Sequence, residues 1–207
     1  HAETWFVGVD VLPNAPDGSI GGVSLPPPYC AAAGWRGDWH RAQLSVVYPG
    51  YPRRDPEETE AAHRFRVIRS AAHVDGLLPE GPARRRFLRE PHAFILGLPL
   101  TDTRAAPLVV WPGSHVAIGQ ALRAAVGDAD PGDVDLTEAY HAARRAAFDS
   151  ITPRRIEAAP GQGILLHRHL LHGVAPWEVG SEGPPDGRAI AYFRPQFAAC
   201  DWLKEDT

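Results

Sequence analysis

Apolar positions along this chain come in short runs, many of them alternating and most of them closed by proline or glycine. That is the pattern of strands and tight turns. Trp5 to Leu12 alternates large and small residues and predicts an opening strand, and the Pro-, Gly- and Ala-rich stretch from Pro13 to Gly37 predicts a long irregular loop. Gln43 to Tyr48 predicts a second strand, stopped by Pro49 and Gly50. Asp55-Pro56-Glu57-Glu58 carries the marks of a short helix: a capping aspartate, a proline at the first helical position and acids in the first turn. Further strands are expected over Phe65 to Ala71, His92 to Leu100, Leu108 to Trp111, Gly163 to His169 and Arg188 to Phe197. Two helices are expected between Val116 and Val126 and between Leu136 and Phe148, the second opening with Asp135 and Glu138 at capping-box spacing. Strands, then two helices, then strands do not give the alternation of a doubly wound sheet. They predict a mainly β fold with flanking helices, a sandwich or barrel. Proline and glycine are scattered with no single linker, so one domain over residues 1–207 is expected.

Composition narrows the function classes. With 207 residues, 44% of them hydrophobic and 22% charged, the chain can bury a full core. No stretch approaches 18 consecutive apolar residues, and the opening residues lack the basic and apolar regions of a signal peptide, so neither a membrane span nor secretion is expected. A net charge of −4 offers no general attraction for nucleic acid. Two cysteines, Cys30 and Cys200, cannot build a disulfide framework, which fits the cytoplasm. The absence of methionine even at position 1 predicts a chain trimmed from a longer product. Almost all positive charge is arginine, with Lys204 the single lysine, and ten histidines call for an explanation by position.

Two segments supply one. In His73-Val74-Asp75-Gly76 an imidazole and a carboxylate stand at i and i+2, on one face of an extended strand, where they could grip one ion. In the run from Gly161 to Gly173 three histidines, His167, His169 and His172, fall within six residues of a core-like apolar segment. Each is a candidate ligand. Two histidines and one carboxylate make the facial set that suits non-haem Fe(II), leaving open positions that a closed zinc site lacks. A third segment, Gly187 to Pro195, sets Arg188 and Arg194 into an apolar strand, and a guanidinium there is suited to receive a carboxylate bidentately. The rivals are a cupin-like Zn or Mn hydrolase or isomerase using His167, His169 and His172, and a jelly-roll binding module without catalysis.

The stretch Leu98-Pro99-Leu100-Thr101-Asp102 followed by Leu108-Val109-Val110-Trp111-Pro112-Gly113-Ser114-His115 resembles the signature of the phytanoyl-CoA dioxygenase family. The order H-x-D, this turn, Leu-His-Gly and a strand arginine is also that family's order, and the resemblance covers about residues 65–197. It implies a double-stranded β-helix (jelly roll), Fe(II) held by His73, Asp75 and His172, and 2-oxoglutarate held by Arg188, with Arg194 the second candidate. It also implies a dioxygenase that hydroxylates a small-molecule substrate with dioxygen, releasing succinate and CO2. His167 falls where the family often has a histidine. Val174 stands where the family commonly has serine, and the insertion Glu178 to Asp186 lengthens the gap to Arg188. The intact Asp75 favours oxygen insertion over halogenation. Ser114 is expected to cap the helix that follows it. The Arg84-Arg85-Arg86 run reads as a solvated face, and Trp35, Trp39, Trp111 and Trp177 as core packing.

Overall fold

The structure is a computed structural model that describes residues 3–26, 28–29, 34–181 and 183–204. Cys30 and His1 lie outside the described residues, and Cys200 is exposed. In chain order the elements are β1 (Trp5–Gly8), β2 (Gln43–Val47), α1 (Glu60–Arg69), β3 (Leu77–Glu80), β4 (Arg85–Leu88), β5 (Phe94–Pro99) and β6 (Leu108–Val110). There follow α2 (Ser114–Val126), α3 (Thr137–Ser150), β7 (Arg154–Ile156), β8 (Ile164–His167), β9 (His172–Val174), β10 (Arg188–Phe193) and α4 (Ala199–Trp202). One sheet has the strand order β1-β2-β10-β5-β8, a second β7-β6-β9, and β3 and β4 form a separate pair. All the pairings are antiparallel.

Side-chain alternation along the strands shows how these pieces are layered. Leu108 and Val110 of β6 join Ile95, Ile164, Leu166, Ile190 and Tyr192 in one apolar cluster, which fills the space between the two sheets. Val109, between them in sequence, faces the other way and packs with Trp111, Ile118, Leu122, Leu136 and Tyr140, so α2 and α3 cover the outside of the smaller sheet. The outer face of the larger sheet presents Phe94, Leu96, Ala191 and Phe193, covered by Leu25, Trp39 and Ala42 from the irregular segment after β1. Strands buried on both faces read as continuous apolar runs, as β5 does. Removing side chains such as Ile118, Leu122 and Phe193 from water stabilises the fold by roughly 1.5–3 kcal/mol each. The result is a mainly β protein with antiparallel sheets and a few helices. No described helix is long and apolar enough to cross a membrane.

The structure corrects the expected elements at three places. Phe65 to Ala71 is not a strand: these residues belong to α1 and the turn that ends it. The Thr59 side chain accepts the Ala62 N–H and caps the helix, Arg66 and Arg69 sit in its last turn, and Ser70 and Ala71 end it with positive φ. The β-branched Val67 and Ile68, which suggested a strand, are largely exposed on this helix. The helix start expected at Asp55 is a turn, with the Glu58 N–H on the Asp55 carbonyl and the Glu57 N–H on its side chain. Ser114 does not cap α2; Gly113 holds that position with φ 85°, and Ser114 is the first helical residue. The Arg84–Arg86 run lies at and beside β4, where Arg85 pairs with Asp135 and Glu138 and Arg86 donates to the Leu77 carbonyl. The strands β3, β4, β7 and β9, three or four residues each, were not expected from the pattern.

Candidate metal centre

The backbone brings the two halves of the site together before any side chain does so. After α1 the chain turns at Ser70 and Ala71 and comes back beside β9, where His73 and His172 pair as an antiparallel bridge. The His73 N–H reaches the His172 carbonyl at 2.8 Å, and the His172 N–H reaches the His73 carbonyl at 3.1 Å. Residues directly opposite in such a pair project to one side, so the imidazoles stand together with ring centroids 4.8 Å apart. Asp75, two residues on, shares their face, while Val74 points into the apolar cluster with α3 and gives its N–H to the Tyr140 hydroxyl at 3.2 Å.

Gly173 makes this approach possible. A Cβ there would lie 2.1 Å from the Ser70 carbonyl oxygen and 3.0 Å from the Ala72 Cα, so any side chain would drive the two segments apart. Gly76 closes the other end with φ 90°, and its carbonyl accepts the N–H groups of Arg89 and Glu90. The glycines of His-Val-Asp-Gly and Leu-His-Gly are thus parts of the site's frame.

His73, Asp75 and His172 each offer one ligand atom, and the three atoms lie within 4.8 Å of one another. Asp75 Oδ1 is 3.1 Å from His73 Nε2 and 3.8 Å from His172 Nε2. Each Nδ1 lies by a carbonyl oxygen, His73 by Ala71 at 3.0 Å and His172 by Leu170 at 2.9 Å. A carbonyl only accepts, so the hydrogen sits on Nδ1 and each Nε2 turns toward the common point. Burial lowers the His172 pKa to about 4, keeping that imidazole neutral. For His73 the surrounding protein also opposes the charge, but its hydrogen bond to Asp75 and that carboxylate's charge outweigh it, and the pKa is raised. The His73 side chain is 46% exposed, so water softens the cost of its burial and the pull of Asp75 prevails. Burial would raise the pKa of Asp75; the Arg194 charge and the two histidines overcome that and hold the carboxyl well below the usual carboxylate range.

Arg194, just past β10, donates from Nε to Asp75 Oδ2 at 2.6 Å and from Nη1 to Gln43 Oε1 at 2.8 Å. One oxygen of Asp75 is thereby occupied and the other is left for the histidines. The sequence marked Arg194 only as a second carboxylate clamp and passed over Gln43; the signal for Gln43 was a carboxamide opening the apolar strand QLSVV. Arg188 lies buried at the start of β10, on the face of the strand that also carries Ile190, Tyr192 and Arg194. Burial lowers its pKa, while its hydrogen bond with the Tyr192 hydroxyl favours its charged form. No carboxylate among the described residues pairs with Arg188.

His172 groups with His73 and Asp75, and the ring nitrogens of His167 and His169 do not join them, so the ligand set of the cupin-like rival does not assemble. Ser114 has an unforeseen part: its Oγ accepts the Leu171 N–H at 3.0 Å, which pins the turn leading into His172. Trp111 packs edge-on to Phe148, Trp39 to Phe94 and Phe193, and Trp35 to Phe94 and Phe197, all at the apolar clusters.

No protein-family model matches the chain, and no curated protein matches it in sequence. Among solved structures, the crystal structure of an asparagine oxygenase is similar over 93% of this chain and 73% of that one, at 14% identity and a TM-score of 0.39. A likeness of that size says nothing about what this chain does, which has to be read from its own side chains.

Proposed function

We propose that the chain is an Fe(II)- and 2-oxoglutarate-dependent oxygenase of the phytanoyl-CoA dioxygenase type, a single jelly-roll unit that hydroxylates a small molecule. The observation that carries this proposal is Arg188: a buried guanidinium with no carboxylate partner among the described residues, on the strand face whose next arginine, Arg194 six residues on, holds the aspartate of a His-Asp-His group. A buried charge left unpaired costs several kcal/mol, so its presence points to an anionic ligand that completes it. Arg194 is engaged with Asp75, which leaves Arg188 as the arginine for that ligand.

The donors fit the metal. Two imidazole nitrogens and one carboxylate oxygen suit Fe(II), with carbonyl partners fixing both imidazoles in the ligating tautomer. His73 and His172 would bind through Nε2 and Asp75 through Oδ1. Bound there with 2-oxoglutarate, the iron supplies the oxidation of a C–H bond to C–OH, with dioxygen consumed and succinate and CO2 released. The chain's own work is positional. Arg194 and Gln43 hold Oδ2 of Asp75, so the carboxylate presents one oxygen. The Tyr192 hydroxyl bonds Arg188 and aims its guanidinium, which would receive the distal carboxylate of the co-substrate bidentately. With Val174 where the family has serine, that grip rests on the arginine alone.

The test is anaerobic addition of Fe(II) and then 2-oxoglutarate, followed by the visible charge-transfer band of the chelate. The wild-type chain should develop the band. Arg188→Met should lose it at co-substrate concentrations that saturate the wild type, while its Fe(II) affinity stays within about threefold. No band in the wild type, or an undiminished band in Arg188→Met, would sink the proposal.

A further inference from the structure

Within β5, a strand buried on both faces, stands a glycine. Gly97 pairs with Tyr192 of β10 on one side and with Ile164 of β8 on the other. It takes no positive φ, so the backbone freedom of glycine is not what the position requires. Glycine in a strand interior weakens the strand, and it marks a place where another group comes close. Here that group is the Tyr192 ring. A Cβ on Gly97 would lie 3.0 Å from Tyr192 Cε1 and 3.3 Å from Cδ1, with Ile190 Cγ2 at 3.6 Å.

Tyr192 links the two arginines of this strand face. Its hydroxyl bonds the Arg188 side chain, and the Arg194 guanidinium lies 5.4 Å from the centroid of its ring. Arg194 in turn holds Oδ2 of Asp75. Tyr192 is buried and packs with Ile95, Ile164, Leu166 and Ile190 between the sheets, where side chains are close-packed and have little room to shift. A methyl group on Gly97 would press on the flank of the ring and tilt it, and the hydroxyl, at the far end from the Cα, would be carried furthest. Hydrogen bonds weaken steeply as their angle and distance change, so the Arg188 guanidinium would lose the partner that orients it.

We propose that Gly97 is a positioning residue for the co-substrate: by yielding its side-chain space to the Tyr192 ring, it sets the Tyr192 hydroxyl against Arg188 and so aims the guanidinium at the distal carboxylate of 2-oxoglutarate. This role rests on the oxygenase reading and adds to it a residue that acts only through Tyr192.

The experiment measures, anaerobically and on the full chain, the Fe(II) affinity and the 2-oxoglutarate concentration that half-saturates the visible band of the chelate. Gly97→Ala should raise that concentration about tenfold and leave the Fe(II) affinity within about threefold, because Arg194 and Gln43 still hold Asp75. Tyr192→Phe, which keeps the ring and loses the hydroxyl, should raise it by a similar factor. In a Tyr192→Leu background, where no ring stands over the glycine, adding Gly97→Ala should change it by less than about twofold. A merely structural loss would repeat itself in both backgrounds. Thermal melts check that the variants are folded, and if the alanine variant is not, Tyr192→Phe decides, an unchanged half-saturation overturning the proposal. If the wild type forms the band and Gly97→Ala binds 2-oxoglutarate as tightly, or if Gly97→Ala costs the same in both backgrounds, the role of Gly97 is overturned and the oxygenase reading stands. If the wild type forms no band, both fall.

Discussion

His169 and His172 stand three residues apart in one turn, yet they keep opposite company. His172 faces Asp75 and His73, with Arg194 drawn up behind the carboxylate. His169 faces His167, Trp202 and a cavity whose other walls carry Arg123 and Lys204. The clusters they belong to differ in what occupies Nδ1. Around the metal centre carbonyl oxygens take the Nδ1 hydrogens of His73 and His172, which turns each Nε2 toward the ion site. In the second cluster a backbone N–H takes the Nδ1 lone pair of His167, which leaves a donor at Nε2. Imidazole serves as acceptor or as donor, and the backbone group on its far nitrogen decides which.

The sharpest way to break this contrast is to remove one member from each cluster and measure Mn(II) or anaerobic Fe(II) affinity by calorimetry. Asp75→Ala should lose more than the roughly 100-fold that marks the loss of a merely supporting group, whereas His169→Gln should stay within about twofold. Equal losses would mean that the clusters are not distinct.

A smaller effect comes from the frame. Gly173→Ala places a Cβ against the Ser70 carbonyl, and urea unfolding should show a loss of about 1–3 kcal/mol together with weaker metal binding.

The pH dependence of the metal-free protein is the mildest probe. His172 has its folded pKa pushed down to about 4, so its contribution to stability is full above the ordinary histidine value and is lost as the pH falls from about 6.5 toward 4. Asp75, also depressed, adds to that loss only as the pH falls below the ordinary carboxylate range. His73 is raised and works the other way, losing its contribution as the pH rises through its folded value. Denaturation midpoints should therefore fall on acidification from pH 6.5, and His172→Gln should flatten the fall. An unchanged slope in that variant would remove His172 from the account.

Much of the architecture was legible in the chain because burial on alternate faces leaves a local trace. β2, β5, β6, β8 and β10 all lie inside the runs that predicted them. α1 was not legible. Its Phe65, Val67 and Ile68 imitate a strand, and the decisive groups are the Thr59 cap and the contacts of Phe65 with Phe148 and Arg144 on a distant helix. β9 and β7 are too short to carry a period, and their pairing with β6 defines them.

The candidate site divides along the same line. That His73 and Asp75 share a face, that Arg188 and Arg194 share another, and that glycine follows each ligand segment are properties of neighbouring residues, so the sequence alone determined them. That His172 rather than His167 or His169 meets Asp75, that Arg194 serves the carboxylate and leaves Arg188 without a carboxylate among the described residues, and that Gln43 and Ser114 take part were decided by tertiary structure. Each depends on segments dozens of residues apart being brought within hydrogen-bond reach, and short-range order carries no record of which polar groups the folded chain will set side by side.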